Sequence, residues 1–319
     1  MGTSVCHVAT KIQMIIDCDP GHDDAMALVV AARHANLLGV TTVAGNAPLS
    51  STTRNARVIL DLIGSTVPLH EGAERPLIAP PPGLQKAHGE SGLDGADLPE
   101  PSRPADSANA IEFIIETCRA TEGVWLVPIG PLTNIALALR GAPDLARRIA
   151  GISLMGGGTF GNKTAAAEFN IWADPEAAAI VFGYGGPLKM SGLDVTHQLQ
   201  ASPPRIDAVR KIGGSLANTL ADLLAFYSAA YVRHHSEMFG AAVHDPCAVM
   251  ALTHPDLFTI RSQSVQIETS GEHTRGMTLI DLRPFSNPKS ANCDVVWKVD
   301  DEGAFAVIIE AIDHFSQLR

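Results

Sequence analysis

The residues best equipped for chemistry stand together near the start of the chain: Asp17-Cys18-Asp19-Pro20-Gly21-His22-Asp23-Asp24. Four carboxylates fall within eight residues, after the apolar run 14–16 and across a Pro-Gly turn. That spelling places them where a buried strand ends and a helix begins. Carboxylates there cannot all be buried unpaired, because each desolvated charge is costly. A hard divalent cation resolves the conflict, and Ca²⁺ takes its ligands from carboxylate and carbonyl oxygens. A solvated acidic turn, with Asp23 and Asp24 favoured by the helix dipole, would read the same way. A second element is Val243-His244-Asp245-Pro246, where the histidine either serves a site or caps a helix over 247–252. A third is Glu168-Phe169-Asn170, which follows the glycines 156–158. Those glycines are read as allowing close backbone approach to a ligand. The nearby Gly161-Asn162-Lys163-Thr164 lacks the order of a phosphate-binding P-loop.

These residues need a frame. Apolar, Val-rich runs predict strands over 13–17, 38–44, near 67, and over 124–129, 149–155 and 188–191. Helical patterns fall between them over 23–34, 50–63, 107–120 (with Ser107 as N-cap), 132–140 and 174–182. Alternation of this kind predicts βαβ units: an α/β fold with a mostly parallel central sheet flanked by helices. Ligands of such sheets collect beyond the carboxyl ends of the strands, where the acidic turn lies. The segment 78–103 is Pro- and Gly-rich, and a loop of that length is functional or disordered. Residues 201–254 read as mainly helical, 259–300 as strand-like, and 302–315 as a last amphipathic helix. No repeat or linker interrupts the chain, so one domain over 1–319 is expected.

Composition narrows the function. The chain has 319 residues, with 23 Lys plus Arg against 34 Asp plus Glu, a net charge of −11. Such a surface is unsuited to nucleic acid, which calls for clustered basic residues. The five cysteines are odd in number and contain no CxxC pair, which indicates reduced thiols and a cytoplasmic setting. The N-terminus lacks the pattern of a signal peptide, and no apolar run is long enough for a membrane span.

The stretch 17–25 (DCDPGHDDA) resembles the signature of the inosine–uridine-preferring nucleoside hydrolases. Similarity continues in the family's order through 41–46 (TTVAGN), 88–92 (HGESG), 127–134 (VPIGPLTN), 154–158 (LMGGG) and 167–170 (AEFN). It extends through 174–177 (DPEA), 192–197 (GLDVTH) and 243–247 (VHDPC). The resemblance implies one α/β domain with its site at the strand ends, and hydrolysis of ribonucleosides to ribose and free base. It implies one Ca²⁺, held by Asp19, Asp24, Asp245 and the backbone carbonyl of Ile129. The family often has Thr at this last position, a change that a carbonyl ligand tolerates. Asp19 resembles the base that activates water. Asp23 and Asn170 resemble contacts to the ribose hydroxyls, Glu168 a contact to the 5′-hydroxyl, and Asn46 and Met155 the sugar-pocket wall. His244 resembles the acid that protonates the leaving base, a role suited to imidazole's ordinary pKa of about 6.5. A homodimer or homotetramer is also implied.

Three residues carry less specific signals. His88 meets the nucleobase or is a solvated loop histidine. Tyr227 and Tyr231, four apart on one helix face, stack on the base or pack in the core. His234 and His235 follow at an exposed helix end, and Trp125, Trp172 and Trp297 read as packing residues. Two other functions compete. A Mg²⁺ phosphohydrolase could use Asp17-Cys18-Asp19 as its nucleophile motif, but 17–30 holds no Lys or Arg for phosphate charge. A nucleoside-binding protein without turnover would keep the sugar contacts and dispense with Asp19 as base.

Overall fold

The computed structural model describes residues 11–83, 85–233, 237–284 and 291–318, so His234 and His235 lie outside the described residues. The strands are β1 (Gln13–Cys18), β2 (Asn36–Thr42), β3 (Leu69–Glu71), β4 (Trp125–Pro128), β5 (Gly151–Met155) and β6 (Leu188–Ser191). They continue with β7 (Gln200–Ala201), β8 (Ala241–Ala242), β9 (Phe258–Gln263), β10 (Val265–Ile267), β11 (Thr278–Ile280) and β12 (Cys293–Val299). The helices are α1 (His22–His34), α2 (Leu49–Leu62), α3 (Ala110–Ala120), α4 (Thr133–Gly141), α5 (Phe169–Ala173) and α6 (Pro175–Phe182). After them come α7 (Leu193–Thr196), α8 (Pro203–Ile212), α9 (Gly214–Val232), α10 (Pro246–Thr253) and α11 (Asp301–Gln317).

Among the described residues, eight strands form one sheet in the order β3-β2-β1-β4-β5-β6-β12-β9. All neighbours pair parallel except β12 with β9. Alternation along β1 divides the core between the two faces. Met14, Ile16 and Cys18 join a cluster with α1, α2, α9, α10 and α11, while Ile15 joins one built on α3, α4 and α6. Helix α1 is buried from His22 through Ala31, so its N-terminal acids are carried into the interior.

The expected mostly parallel α/β frame is present, with local differences. The helix expected over 107–120 begins at Ala110, with Asn109 as N-cap. Ser107 instead bridges to His70 beside β3, and its hydroxyl lies 2.7 Å from His70 Nδ1. The hydroxyl also accepts the Asn109 N–H. The strand expected near 67 lies at Leu69–Glu71, where Val40, Thr41 and Thr42 provide its pairing edge. The mainly helical stretch 201–254 also contains the antiparallel pair β7–β8. No helix among the described residues is long and apolar enough to cross a membrane.

Candidate active site

Strand order reverses between β1 and β4: the chain runs outward through β2 and β3, then returns to lie on the other side of β1. The crevice beyond the carboxyl ends of β1 and β4 is where an open parallel sheet receives its ligand. The acidic turn leaves β1 there, and Ile129 leaves β4 beside it. Asp17 remains inside β1. Its Oδ1 accepts from Thr41 Oγ1 at 2.6 Å and Asn134 Nδ2 at 2.7 Å, and burial pushes its pKa to about 7. The side chain of Asp17 thus stitches β1 to β2 and α4, while its carbonyl accepts the Ile129 N–H at 2.8 Å and sets that peptide.

Asp19 is buried, and its Oδ2 accepts the Asn46 N–H at 2.7 Å. Its Oδ1 has no hydrogen-bond partner among the described residues. Two glycines make this placement possible, since a Cβ at Gly45 or Gly130 would collide with the Asp19 carboxylate. Asp24 accepts the N–H groups of Asp19 at 3.2 Å and Gly21 at 2.9 Å, which closes the turn at the start of α1. The backbone N–H of His244 donates to Asp23, and Asp245 shares a hydrogen bond with Asp24. Loop 243–245 is thereby joined to α1.

Asp23, Asp24 and Asp245 converge: carboxylate oxygens from the three lie within 4.8 Å of one another. Of the ligands expected from the sequence, Asp24 and Asp245 belong to this trio, and Asp23 is its third member. The Asn46 N–H holds one oxygen of Asp19, and Asp23 and Asp24 both stand in the first turn of α1. Burial, then mutual repulsion, raises the pKa of Asp19, Asp23 and Asp245 well above the carboxylate range. Asp24 rises to about 6, mainly through burial. Among the described residues, no Lys, Arg or His forms an ion pair with any of these four. Clustered buried carboxylates and an orphaned Asp19 oxygen are the donor set of a hard divalent cation, so the residues fit a metal.

The sugar-side residues expected from the sequence, Asp23, Asn46, Met155, Glu168 and Asn170, line one pocket with the expected metal ligands Ile129 and Asp245. Asn170 Nδ2 donates to the carbonyls of Ile129 at 3.0 Å and Met155 at 3.2 Å. That fixes the plane of its amide and turns Oδ1 to other donors. Glu168 is the N-cap of α5, accepting from Asn170 N and Ile171 N, and it also accepts from Gly157 N at 2.9 Å. Its pKa is raised to about 7, because burial outweighs those bonds. The glycines 156–158 allow close packing of protein, Gly156 against the pocket residues Glu168 and Asn170. A Cβ at Gly157 would strike Thr278, and one at Gly158 would crowd Leu193 and Asp194.

His88, Tyr227, Tyr231 and His244 line the same pocket. His88 is buried rather than solvated, and burial holds its pKa well below the usual imidazole value. Tyr227 and Tyr231 meet edge to face at 5.6 Å. His244 does not cap α10: its Nδ1 lies 2.7 Å from Thr196 Oγ1, and its Nε2 lies 3.4 Å from the Tyr231 hydroxyl. That hydroxyl also lies 3.2 Å from His197 Nε2. At the mouth, Lys163 donates to Gln85 Oε1 at 3.0 Å and rests 4.7 Å from the centre of the Trp172 ring. Sequence reasoning did not single out His22, Gln85, Lys163, Thr196 or His197 for the site. Their roles arise from contacts between distant segments, and no local spacing announces them.

A buried carboxylate cluster able to hold a cation stands beside a pocket lined by amides, hydroxyls and imidazoles, at the switch point of a parallel sheet. The model of the inosine-uridine preferring nucleoside hydrolase family matches residues 14–306. The chain belongs to that family, whose members cleave the N-glycosidic bond of ribonucleosides. It is 41% identical over 310 residues to the pyrimidine-specific ribonucleoside hydrolase RihA of an Enterobacter species, covering 96% of this chain and 99% of that one. It is 43% identical over 304 residues to the protein of the same name from Shewanella baltica, covering 94% and 95%. Among solved structures, the purine-preferring ribonucleoside hydrolase from Gardnerella vaginalis superposes with a TM-score of 0.90 at 32% identity, covering 96% of this chain and all of that one.

Proposed function

We propose that this pocket hydrolyses pyrimidine ribonucleosides and inosine in preference to adenosine, with Ca²⁺ as the ion of the carboxylate cluster. The observation that carries the reading is the meeting of Asp23, Asp24 and Asp245, of which Asp23 and Asp245 line one pocket with Asn170, His88 and His244. The pyrimidine-specific names of relatives 41–43% identical favour the base preference. Ca²⁺ held by Asp19, Asp24, Asp245 and the Ile129 carbonyl, with Asp23 alongside, would supply Lewis acidity toward water and sugar hydroxyls.

The chain's own residues divide the remaining work. Asp19, held on one side by Asn46, offers its free Oδ1 as acceptor for the proton of the attacking water. Asp23 and Asn170 Oδ1 accept from ribose hydroxyls, and Glu168 from the 5′-hydroxyl. Met155 and Asn46 complete the sugar wall. As the bond to the base breaks, the sugar gains oxocarbenium character, which the surrounding carboxylates favour. His244, oriented by Thr196, donates a proton to the departing base. Tyr227 and Tyr231 stack on it, and His88 hydrogen-bonds its edge. The domain over 1–319 acts as a cytoplasmic homo-oligomer, without nucleic-acid or membrane partners.

A panel of uridine, cytidine, inosine, guanosine, adenosine and deoxyuridine tests this. We expect kcat/KM highest for the pyrimidine ribonucleosides. Deoxyuridine should fall behind uridine by as much as ~10⁴-fold, since a site built for a hydroxyl rejects its absence. Adenosine as the best substrate would overturn the base preference, and equal rates on uridine and deoxyuridine would overturn the sugar contacts.

A further inference from the structure

The acidic turn is held from behind by a residue of α2. Asn55 is buried in the second turn of that helix. The start of α2 is tied to the end of β2 and the residue after it: Thr53 Oγ1 lies 2.7 Å from Thr42 Oγ1, and Thr52 Oγ1 donates to the Val43 carbonyl at 3.0 Å. From that fixed base the Asn55 amide reaches two carbonyls at once. Its Nδ2 donates to the Pro20 carbonyl at 3.2 Å and to the Ser91 carbonyl at 3.1 Å. A carbonyl only accepts, so the nitrogen of the amide and not its oxygen must face them. The oxygen, Oδ1, is buried and has no partner among the described residues. The reverse orientation would set an acceptor against two acceptors.

Both carbonyls belong to segments of the site. The Pro20 carbonyl and the Gly21 N–H are the two ends of one planar peptide. That N–H donates to Asp24 Oδ2 at 2.9 Å, while Asp24 Oδ1 accepts the Asp19 N–H at 3.2 Å. Holding the carbonyl of this peptide sets the direction of its N–H, and a peptide whose carbonyl accepts a hydrogen bond is the stronger donor. The Ser91 carbonyl belongs to the turn that begins at His88 and is closed by the Asp94 N–H, which donates to the His88 carbonyl at 3.1 Å. Gly92 lets this turn approach α2. Its φ is +83°, and a Cβ there would come within 2.9 Å of the Ala47 Cβ and 3.3 Å of Asn55 Nδ2.

We propose that Asn55 is a positioning residue that couples the cation cluster to the turn carrying His88: one amide sets the peptide that orients Asp24 and holds that turn in place. The proposal rests on the reading of the carboxylate cluster as a cation site. An ion on Asp24 favours the carboxylate orientation that the Gly21 N–H maintains, as partners behind a metal ligand do. Coupling is reciprocal, so the held turn and the bound ion support each other. Asn55 itself is not among the residues that line the pocket.

The test uses the full chain: calorimetric titration of chelator-treated protein with Ca²⁺, and amide hydrogen exchange over 88–94 with and without Ca²⁺. Asn55→Leu keeps a branched side chain of similar reach and removes both donated bonds. Asn55→Ala removes them and leaves a cavity. Both variants should bind Ca²⁺ ~10–100-fold more weakly than the wild type, the usual loss when the partner of a metal ligand is removed. The two losses should be alike although the metal-free Tm values differ, and losses that instead track Tm would reduce Asn55 to a packing residue and overturn the proposal. In the wild type Ca²⁺ should slow exchange over 88–94, and in both variants that slowing should disappear. Wild-type affinity in a folded variant overturns the role of Asn55 toward the ion. Weakened binding with the wild-type exchange response overturns its link to the turn, and so does a wild type whose exchange over 88–94 ignores Ca²⁺, whatever the variants do. A wild type that binds no Ca²⁺ overturns the cation reading and the proposal with it.

Discussion

Removing divalent cations should produce a protein whose stability declines as pH rises. Burial and mutual repulsion raise Asp23 to about 8, and hold Asp19 and Asp245 well above the carboxylate range. In the unfolded chain each returns to about 3.9. Between about pH 4 and pH 8 the cation-free folded protein therefore keeps protons that the unfolded chain has released. Folding then takes up protons, so stability is highest at the acid end of that window and is lost as pH climbs through it. One retained proton is equivalent to about 1.4 kcal/mol per pH unit, so the rise from pH 6 to pH 8 costs about 3 kcal/mol. For a chain of this size that is a fall in Tm of roughly 4–5 °C. A bound cation keeps the carboxylates ionised in the folded state, which flattens the profile and adds the binding free energy. The assay is calorimetry at pH 6, 7 and 8, in chelator and in excess Ca²⁺. The two curves should diverge with pH. Parallel profiles, or a Tm indifferent to Ca²⁺, would refute the reasoning.

Three substitutions extend it. Asp19→Asn should lower kcat by at least ~10²-fold, the lower range for a general base, and near-normal turnover with normal metal content would exclude Asp19 from that role. His244→Ala should cost much more on uridine than on p-nitrophenyl riboside, whose phenolate leaves unaided; equal losses would place His244 with the sugar or the metal. Asn134→Leu removes a donor from the buried Asp17 carboxylate and should destabilise the protein by about 1–3 kcal/mol in urea unfolding. No change in the midpoint would mean that Asp17 is not tied by that bond.

Much of the frame was legible because the chain alternates short Val- and Ile-rich runs with helical patterns. A buried strand such as Gln13–Cys18 and a helix as apolar as His22–His34 need no tertiary knowledge to find. Short elements were not legible. The five residues of Phe169–Ala173 are too few to show a period, and the helix is set by the Glu168 cap. Ser107 has the type of an N-cap, but its hydroxyl is taken by His70, and the helix starts later. The acidic turn announced the buried carboxylate cluster, and the family blocks held the residues that line one pocket beside it. The bond from the Asn46 N–H to Asp19 joins positions that no spacing links. The pairing of His22 with His88 joins positions 66 residues apart and exists only in three dimensions.

The central claim is that water, activated beside Asp19, displaces a nucleobase from ribose in this pocket. Purified protein loaded with Ca²⁺ and incubated with uridine in heavy-oxygen water tests it in one measurement. Mass spectrometry should show free uracil, with the heavy oxygen on the anomeric carbon of ribose and no requirement for phosphate. Intact uridine, or uracil released only when phosphate is supplied and ribose phosphate forms, would contradict it.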